Sequence, residues 1–154
     1  MAFAVIVVLY ISIGFLSAAG SVWLSQKIVP VRWESAVFGL FLSLIASFYL
    51  AFTSYFADEH AWNLELAGVA AFVVLGGLGI RIPTILIAGY VLHGVWDLLH
   101  EIHAHFGTDT FGGRVPTEIP LAYGAFCATY DWCMAAYFYV RRKEWRAAWM
   151  NRGA

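Results

Sequence analysis

Long apolar stretches alternate with short polar segments along the chain, and this pattern predicts its elements. A bilayer core of about 30 Å takes about 20 helical residues to cross. The stretches that meet this requirement lie near residues 2–24, 35–56, 65–80, 83–105 and 118–140. None shows the strict alternation of barrel strands, and lipid excludes an open sheet. We therefore predict an all-α, polytopic membrane helix bundle with five transmembrane helices, forming a single integral membrane domain over residues 1–154.

Basic residues fall in alternate connections and predict an orientation. Lys27 and Arg32 lie in the first connection, Arg81 lies in the third, and a basic group at 141–146 follows the fifth stretch. Because short basic segments stay in the cytoplasm, the N-terminus is expected outside and the C-terminus in the cytoplasm. The first stretch has no positively charged segment before it, and its apolar run is longer than the hydrophobic core of a usual signal peptide. We therefore expect it to remain in the protein as a transmembrane helix and not to be cleaved.

Composition agrees with a membrane protein and narrows the partners. The chain has 154 residues, of which 62% are hydrophobic and 12% charged, and its net charge is −1. This balance gives no basic surface for nucleic acid, so no nucleic-acid partner is expected. The expected partners are the lipid bilayer and a hydrophobic small molecule, and a homo-oligomer is left open.

Ionisable residues interrupt the fourth stretch, in the segment YVLHGVWDLLHEIHAHF. At about 100° per residue, Asp97 lies within about 40° of His93 and His100 within about 20°. One helix face thus carries an imidazole, a carboxylate and a second imidazole. Ionisable groups inside a bilayer are costly and mark functional sites by default.

The fifth stretch supplies a second polar stripe, which includes Cys127 and Asp131. Counting about 1.5 Å per residue along antiparallel helices places Asp131 near the depth of His93 and Cys127 near that of Asp97. The spacing predicts one site between helices 4 and 5. Its candidate catalytic residues and metal ligands are His93, Asp97, His100 and Asp131. Its candidate substrate pocket is formed by Trp96, Glu101, Tyr123, Cys127 and Tyr130.

The segments HGVWDLLHE and FCATYDW resemble motifs of a family of small bacterial membrane proteins with a domain of unknown function. That family has an H-x-x-W-D-x-x-H-H helix and a later G-C-A-x-C-D helix. The matching positions, confined to the last two spans, are His93, Trp96, Asp97, His100, Cys127 and Asp131. Glu101 and Tyr130 depart from the pattern, since the family has a second His and a second Cys there. The resemblance implies a bacterial inner membrane protein and brings no activity with it.

A metal-dependent enzyme is the first hypothesis for the chemistry. Catalytic zinc takes about three protein ligands and keeps one position open, and the candidate His and Asp residues satisfy that count. Such a centre would hydrolyse or otherwise transform a lipid-like substrate. A divalent transition metal is expected, with zinc favoured and iron as an alternative. Haem ligation by His93 or His100 is a further variant.

Two alternatives use the same residues without a metal. A buried Asp97 or Asp131 that stays protonated can act as an acid towards an alkene or epoxide, as an isomerase or cyclase of lipids or terpenoids requires. Tyr123, Tyr130 and Trp96 would then stabilise a carbocation. Alternatively, the polar groups form a proton or cation path in a transport protein.

Overall fold

Five α-helices make up the bundle, as the hydrophobic pattern predicts. The computed structural model describes residues 2–150, and this part of the chain contains no β-strand. The helices are α1 (Ala2–Ile28), α2 (Val31–Tyr55), α3 (Trp62–Gly79), α4 (Pro83–Phe106) and α5 (Tyr123–Met150). The predicted all-α helix bundle is confirmed.

Membrane-spanning character is clear for four of the helices. Within residues 2–150, helices α1 to α4 are long and apolar enough to cross a bilayer. Helix α5 is as long, but Asp131 and several Tyr and Trp side chains make it more polar. The chain is therefore an integral membrane protein, and the fifth span and the orientation stay predictions.

Most helix ends differ from the predicted ones by a few residues, but α5 continues to Met150, well beyond the predicted end at 140. Helix α1 runs on to Ile28, and α2 begins directly after Pro30. Helix α5 begins at Tyr123, later than expected, because the prolines of the preceding loop lack the N–H groups that a helix needs. Glu101 accepts a hydrogen bond from the N–H group of Gly124 at 2.9 Å, which satisfies one of the free N–H groups at the start of α5.

The helices do not pack equally against one another. Helices α4 and α5 form the most extensive pair, and α2 packs mainly on α3. Helix α1 packs on α5 and makes little contact with α2, although only Val29 and Pro30 separate these two helices. A cleft therefore opens between α1 and α2, with α5 as its floor.

Glu34, near the start of α2, is completely buried at the centre of a polar cluster that joins three helices. Its carboxylate accepts hydrogen bonds from Ser25 of α1 and Trp145 of α5, each at 2.8 Å. Arg141 donates from Nη2 at 2.9 Å, and the hydroxyl of Tyr137 donates to Oε1. This cluster connects α1, α2 and α5 at the end of the bundle where α1 meets α2.

Helices α2 and α3 approach closely where Gly39 faces Gly76. A Cβ atom on Gly76 would collide with the carbonyl oxygen of Gly39, and one on Gly39 would lie 2.5 Å from the carbonyl oxygen of Gly76. A Cβ atom on the adjacent Gly77 would meet open space. The contact between α2 and α3 therefore depends on Gly76 and not on its neighbour.

We expect Gly76→Ala to lower the free energy of unfolding by about 1–3 kcal/mol, because the added methyl group forces two backbones apart. The matched variant Gly77→Ala should be neutral or stabilising by up to about 1 kcal/mol, since Ala favours helix over Gly. Unfolding by SDS in mixed micelles measures both free energies. Equal effects of the two substitutions would contradict the close contact.

Candidate metal centre

Helices α4 and α5 bring three ionisable side chains together in the middle of the bundle. His93 and Asp97 lie one turn apart on the same face of α4, and Asp131 faces them from α5. The helices approach almost backbone to backbone beside this group, since a Cβ atom on Gly124 would collide with the carbonyl oxygen of Asp97. This close approach lets the short aspartate side chain of α5 reach the imidazole of α4.

The three side chains form one tight cluster, which we call the His93 triad (His93, Asp97 and Asp131). His93 Nδ1 lies 2.7 Å from Asp131 Oδ2 and 3.1 Å from Asp97 Oδ2. One potential ligand atom from each residue lies within 4.8 Å of the others. His93 is 1% exposed and both aspartates are fully buried. These distances and types of atom suit a single metal ion.

The triad contains polar atoms without hydrogen-bond partners. Within residues 2–150, His93 Nε2, Asp97 Oδ2 and Asp131 Oδ1 are buried and accept or donate no hydrogen bond. A single N–H group at His93 Nδ1 can serve only one of the two carboxylates well. Buried polar groups are nearly always paired, so the unpaired Asp97 Oδ2 and Asp131 Oδ1 indicate an absent partner on the side that His93 Nδ1 faces.

Tyr49 of α2 completes the surroundings of Asp97, and the sequence pattern alone did not single it out. Its hydroxyl donates a hydrogen bond to Asp97 Oδ1 at 2.5 Å, and the side chain is 1% exposed. Leu42, Ala46 and Thr53 are buried at helical spacing on the same face of α2. That spacing was a signal that Tyr49 points into the bundle, since a buried Tyr needs a partner for its hydroxyl.

His100 is on the predicted face of α4 but takes part in a different interaction. Its Nε2 lies 3.0 Å from Glu65 Oε1 of α3, and its Nδ1 donates to the carbonyl oxygen of Trp96 at 2.9 Å. Seven residues along a helix correspond to about 10 Å, so His93 and His100 are too far apart to share one ion. Both ring nitrogens of His100 face acceptors, which leaves it outside the triad.

Glu65 is a second buried group that the sequence pattern did not single out. It is fully buried, and its Oε1 also accepts a hydrogen bond from the N–H group of Thr117 at 2.9 Å. The pair of Glu65 and His100 thus attaches the α4–α5 loop to α3 and α4. An acidic residue at the start of an apolar stretch is usually solvated, which is why its burial was not predicted.

The loop at residues 107–122 covers the C-terminal end of α4. The ring of Phe111 lies against that of His100, with centroids 4.7 Å apart, and Thr110 donates to the carbonyl oxygen of Leu99 at 3.0 Å. Asp109 accepts hydrogen bonds from the N–H groups of Gly113 and Phe111, and these bonds lower the pKa of Asp109 below its usual value. The loop is therefore an ordered cover at this end of the bundle.

The predicted pocket residues divide into two groups. Tyr123, Cys127 and Tyr130 line a cavity of about 530 Å³ together with Asp131. Trp96 packs instead against Gly68 of α3, and Glu101 caps the start of α5 through Gly124. The cavity lies in the cleft between α1 and α2, so the triad is next to a space that is bounded by apolar side chains.

Comparison with known proteins gives no match for this chain. No family model matches the sequence, and no curated protein or solved structure matches it significantly. The resemblance to the small bacterial membrane family stays a prediction. The His93 triad is therefore interpreted from its own chemistry.

Proposed function

We propose that this chain is an integral membrane enzyme that holds a divalent transition metal with His93, Asp97 and Asp131 and acts on a lipid-like substrate. The observation that carries the proposal is the convergence of one imidazole and two buried carboxylates within 4.8 Å, with one oxygen of each carboxylate unpaired. A metal ion held by His93 Nδ1 and the two carboxylates would be the partner that these oxygen atoms lack.

Charge balance supports a divalent cation. Two buried carboxylates with a neutral imidazole carry a charge of −2, which a divalent ion cancels. A proton on His93 alone would leave one negative charge unbalanced inside the bundle. Unbalanced buried charge costs several kcal/mol, and more so at membrane depth. The site is thus better suited to a divalent ion than to a proton on His93 alone.

The donor set favours zinc, with iron as the alternative, because imidazole and carboxylate ligands suit both ions. Such an ion, when bound, acts as a Lewis acid towards an ester, amide or similar oxygen. The residues of the chain position it: Tyr49 holds Asp97 by Oδ1 and leaves Oδ2 available. Hydrogen-bonded orientation of a ligand in this way is common in metal sites.

The cavity beside Asp131 supports a hydrophobic substrate. Its volume of about 530 Å³ lies within the range of small-molecule sites, which is about 300–1,000 Å³. Phe41, Phe48 and Phe52 of α2 form one of its walls. A molecule with a hydrocarbon part would fit these walls and meet the triad at Asp131.

An acid and base enzyme without metal is the second candidate, and two contacts favour it. Asp131 lies 2.7 Å from His93 Nδ1, and Tyr49 lies 2.5 Å from Asp97. These groups can share protons, as an isomerase or cyclase requires. An ion path is less well supported, because within residues 2–150 no hydrogen bond joins the triad to His100 and Glu65.

Metal content distinguishes these functions. We expect one transition metal ion per wild-type chain purified without chelators and a loss of nearly all of it in His93→Gln. The matched variant His100→Gln should keep the metal, because His100 lies outside the triad and Gln can still donate to Glu65. Elemental analysis of the three proteins gives the count. A folded, metal-free wild-type protein would overturn the proposal and favour the acid and base enzyme.

A further inference from the structure

We propose that the cleft between α1 and α2 binds the hydrocarbon chain of an uncharged, single-chain lipid, and that Tyr130 with Ser21 limits the length of chain it accepts. The inference rests on the proposed function in one respect, which is that the reacting part of the lipid lies beside Asp131. Chain binding in the cleft is a separate property and can be measured without any reaction.

The cleft contains two chambers in line. The larger chamber, of about 530 Å³, has Asp131 in its wall and reaches the α4–α5 loop at Pro120. The smaller chamber, of about 230 Å³, continues towards Ile28 and Val29 at the end of α1. The smaller one is below the usual range for a ligand site, so it suits an extension of a ligand and not a whole one.

A side-chain bridge separates the chambers. Tyr130 donates a hydrogen bond to Ser21 Oγ at 3.1 Å, and the ring of Phe41 lies 6.0 Å from that of Tyr130 between centroids. These three residues line both chambers. Tyr130 of α5 thus contacts Ser21 of α1 on one side of the cleft and Phe41 of α2 on the other. The bridge consists of side chains and contains no backbone. Removing the ring of Tyr130 would join the chambers.

The lining determines the class of ligand. Among the described residues, neither chamber has a Lys, Arg or His in its wall, so nothing there balances a phosphate or carboxylate. Among the described residues of the wall, Asp131 is the only carboxylic acid, and Asp97 is a second carboxylate beside it in the triad. An anionic head group is therefore disfavoured within the cleft. Aromatic and aliphatic walls between two membrane helices suit a hydrocarbon chain that enters from the bilayer.

The position of the bridge explains why it would limit the length of the hydrocarbon chain that binds. Tyr130 is adjacent to Asp131 in sequence, so the boundary between the chambers lies next to the triad. A chain that enters the larger chamber at Pro120 and ends beside Asp131 needs no change of the bridge. A longer chain has to displace Tyr130 to reach the smaller chamber. Shortening the Tyr130 side chain removes this barrier, so the limit then lies at the far end of the smaller chamber.

The test uses the full-length protein in lipid nanodiscs and a series of fatty alcohols of increasing length that carry a terminal diazirine. Photo-crosslinking yield, corrected for partition into empty nanodiscs, is measured for each length. We expect the wild-type yield to fall beyond a limiting length. In Tyr130→Ala that limit should move to longer chains, because the smaller chamber becomes accessible. Crosslinks of the longest probes should then map to Ile28 and Val37.

Two further variants keep the test decisive. Tyr139→Ala removes the same type of residue from an exposed position of α5 and should leave the limit unchanged. Phe41→Ala widens the same boundary and should extend the limit if Tyr130→Ala does not fold. A wild-type yield that follows bilayer partition alone, or the same limit in the bridge variants and the wild type, would overturn the inference.

The same probes separate this inference from the proposed function. In His93→Gln, which is expected to lack metal, the limiting chain length should stay as in the wild type. Metal binding without a limiting length would refute the cleft and leave the metal centre intact. A limiting length in a protein that never binds metal would refute the metal centre and support the cleft.

Discussion

Asp97→Asn is expected to lower the affinity for the metal by about 100-fold or more while the chain stays folded. Loss of a residue that only orients a ligand costs about 10–100-fold, and loss of a ligand costs at least as much. The amide oxygen of Asn can still accept the hydrogen bond from Tyr49 that now reaches Oδ1. The substitution therefore changes the atom that faces the triad and preserves the contact with α2.

The stability of the metal-free protein makes this prediction specific. Without metal, Asp97→Asn should be at least as stable as the wild type, because it removes one unbalanced negative charge from the triad. If Asp97 instead serves as a structural ion-pair partner of His93, the substitution should cost about 3–5 kcal/mol. Competition with a chelator gives the affinity, and SDS unfolding of the metal-free proteins gives the stability. A large loss of stability with unchanged metal binding would refute the assignment.

Glu34→Ala is expected to lower the free energy of unfolding by about 3–5 kcal/mol, the typical result of breaking a buried ion pair. Glu34 is completely buried and accepts hydrogen bonds from α1 and α5 at once. Its removal leaves the indole N–H group of Trp145 without an acceptor and takes from Arg141 the buried one of its two carboxylate partners. The connection between α1, α2 and α5 would be lost at that end of the bundle.

Glu144→Ala is the matched control for Glu34→Ala. Glu144 also binds Arg141, but its side chain is 55% exposed. Exposed ion pairs contribute about 0–1 kcal/mol, so this variant should be close to wild type. SDS unfolding of both variants measures the difference. Equal and small effects would show that the Glu34 cluster does not hold the helices together.

The fold was largely predictable because bilayer thickness and backbone hydrogen bonding leave few choices. Apolar length alone placed five helices, and Pro83 begins α4 as predicted. The start of α5 was misplaced, because an apolar loop before Tyr123 has the composition of a helix. Its prolines and the cap from Glu101 decide the boundary, and the cap depends on a contact between helices that a linear pattern does not contain.

The candidate site was predictable where one helix face determines it. His93, Asp97 and Asp131 meet because helical spacing and matched depth bring them to one level. Helical spacing shows which residues share a face, but it does not show which neighbouring helix each side chain contacts. His100 was therefore grouped with the triad, although its imidazole contacts Glu65 of α3. The contacts of Tyr49 with Asp97 and of Glu65 with His100 depend on how α2 and α3 pack around α4. The cleft depends on the divergence of α1 from α2, which their short connection does not suggest.

X-ray absorption at the metal edge of the purified wild-type protein tests the central claim most directly, since it identifies the ligand atoms around the ion. The His93 triad predicts one imidazole nitrogen with oxygen neighbours and no sulfur, for an ion present at one per chain. Two imidazoles would indicate that His100 is a ligand, and sulfur would indicate Cys127. Either result, or the absence of a stoichiometric metal signal, would contradict a centre built from His93, Asp97 and Asp131.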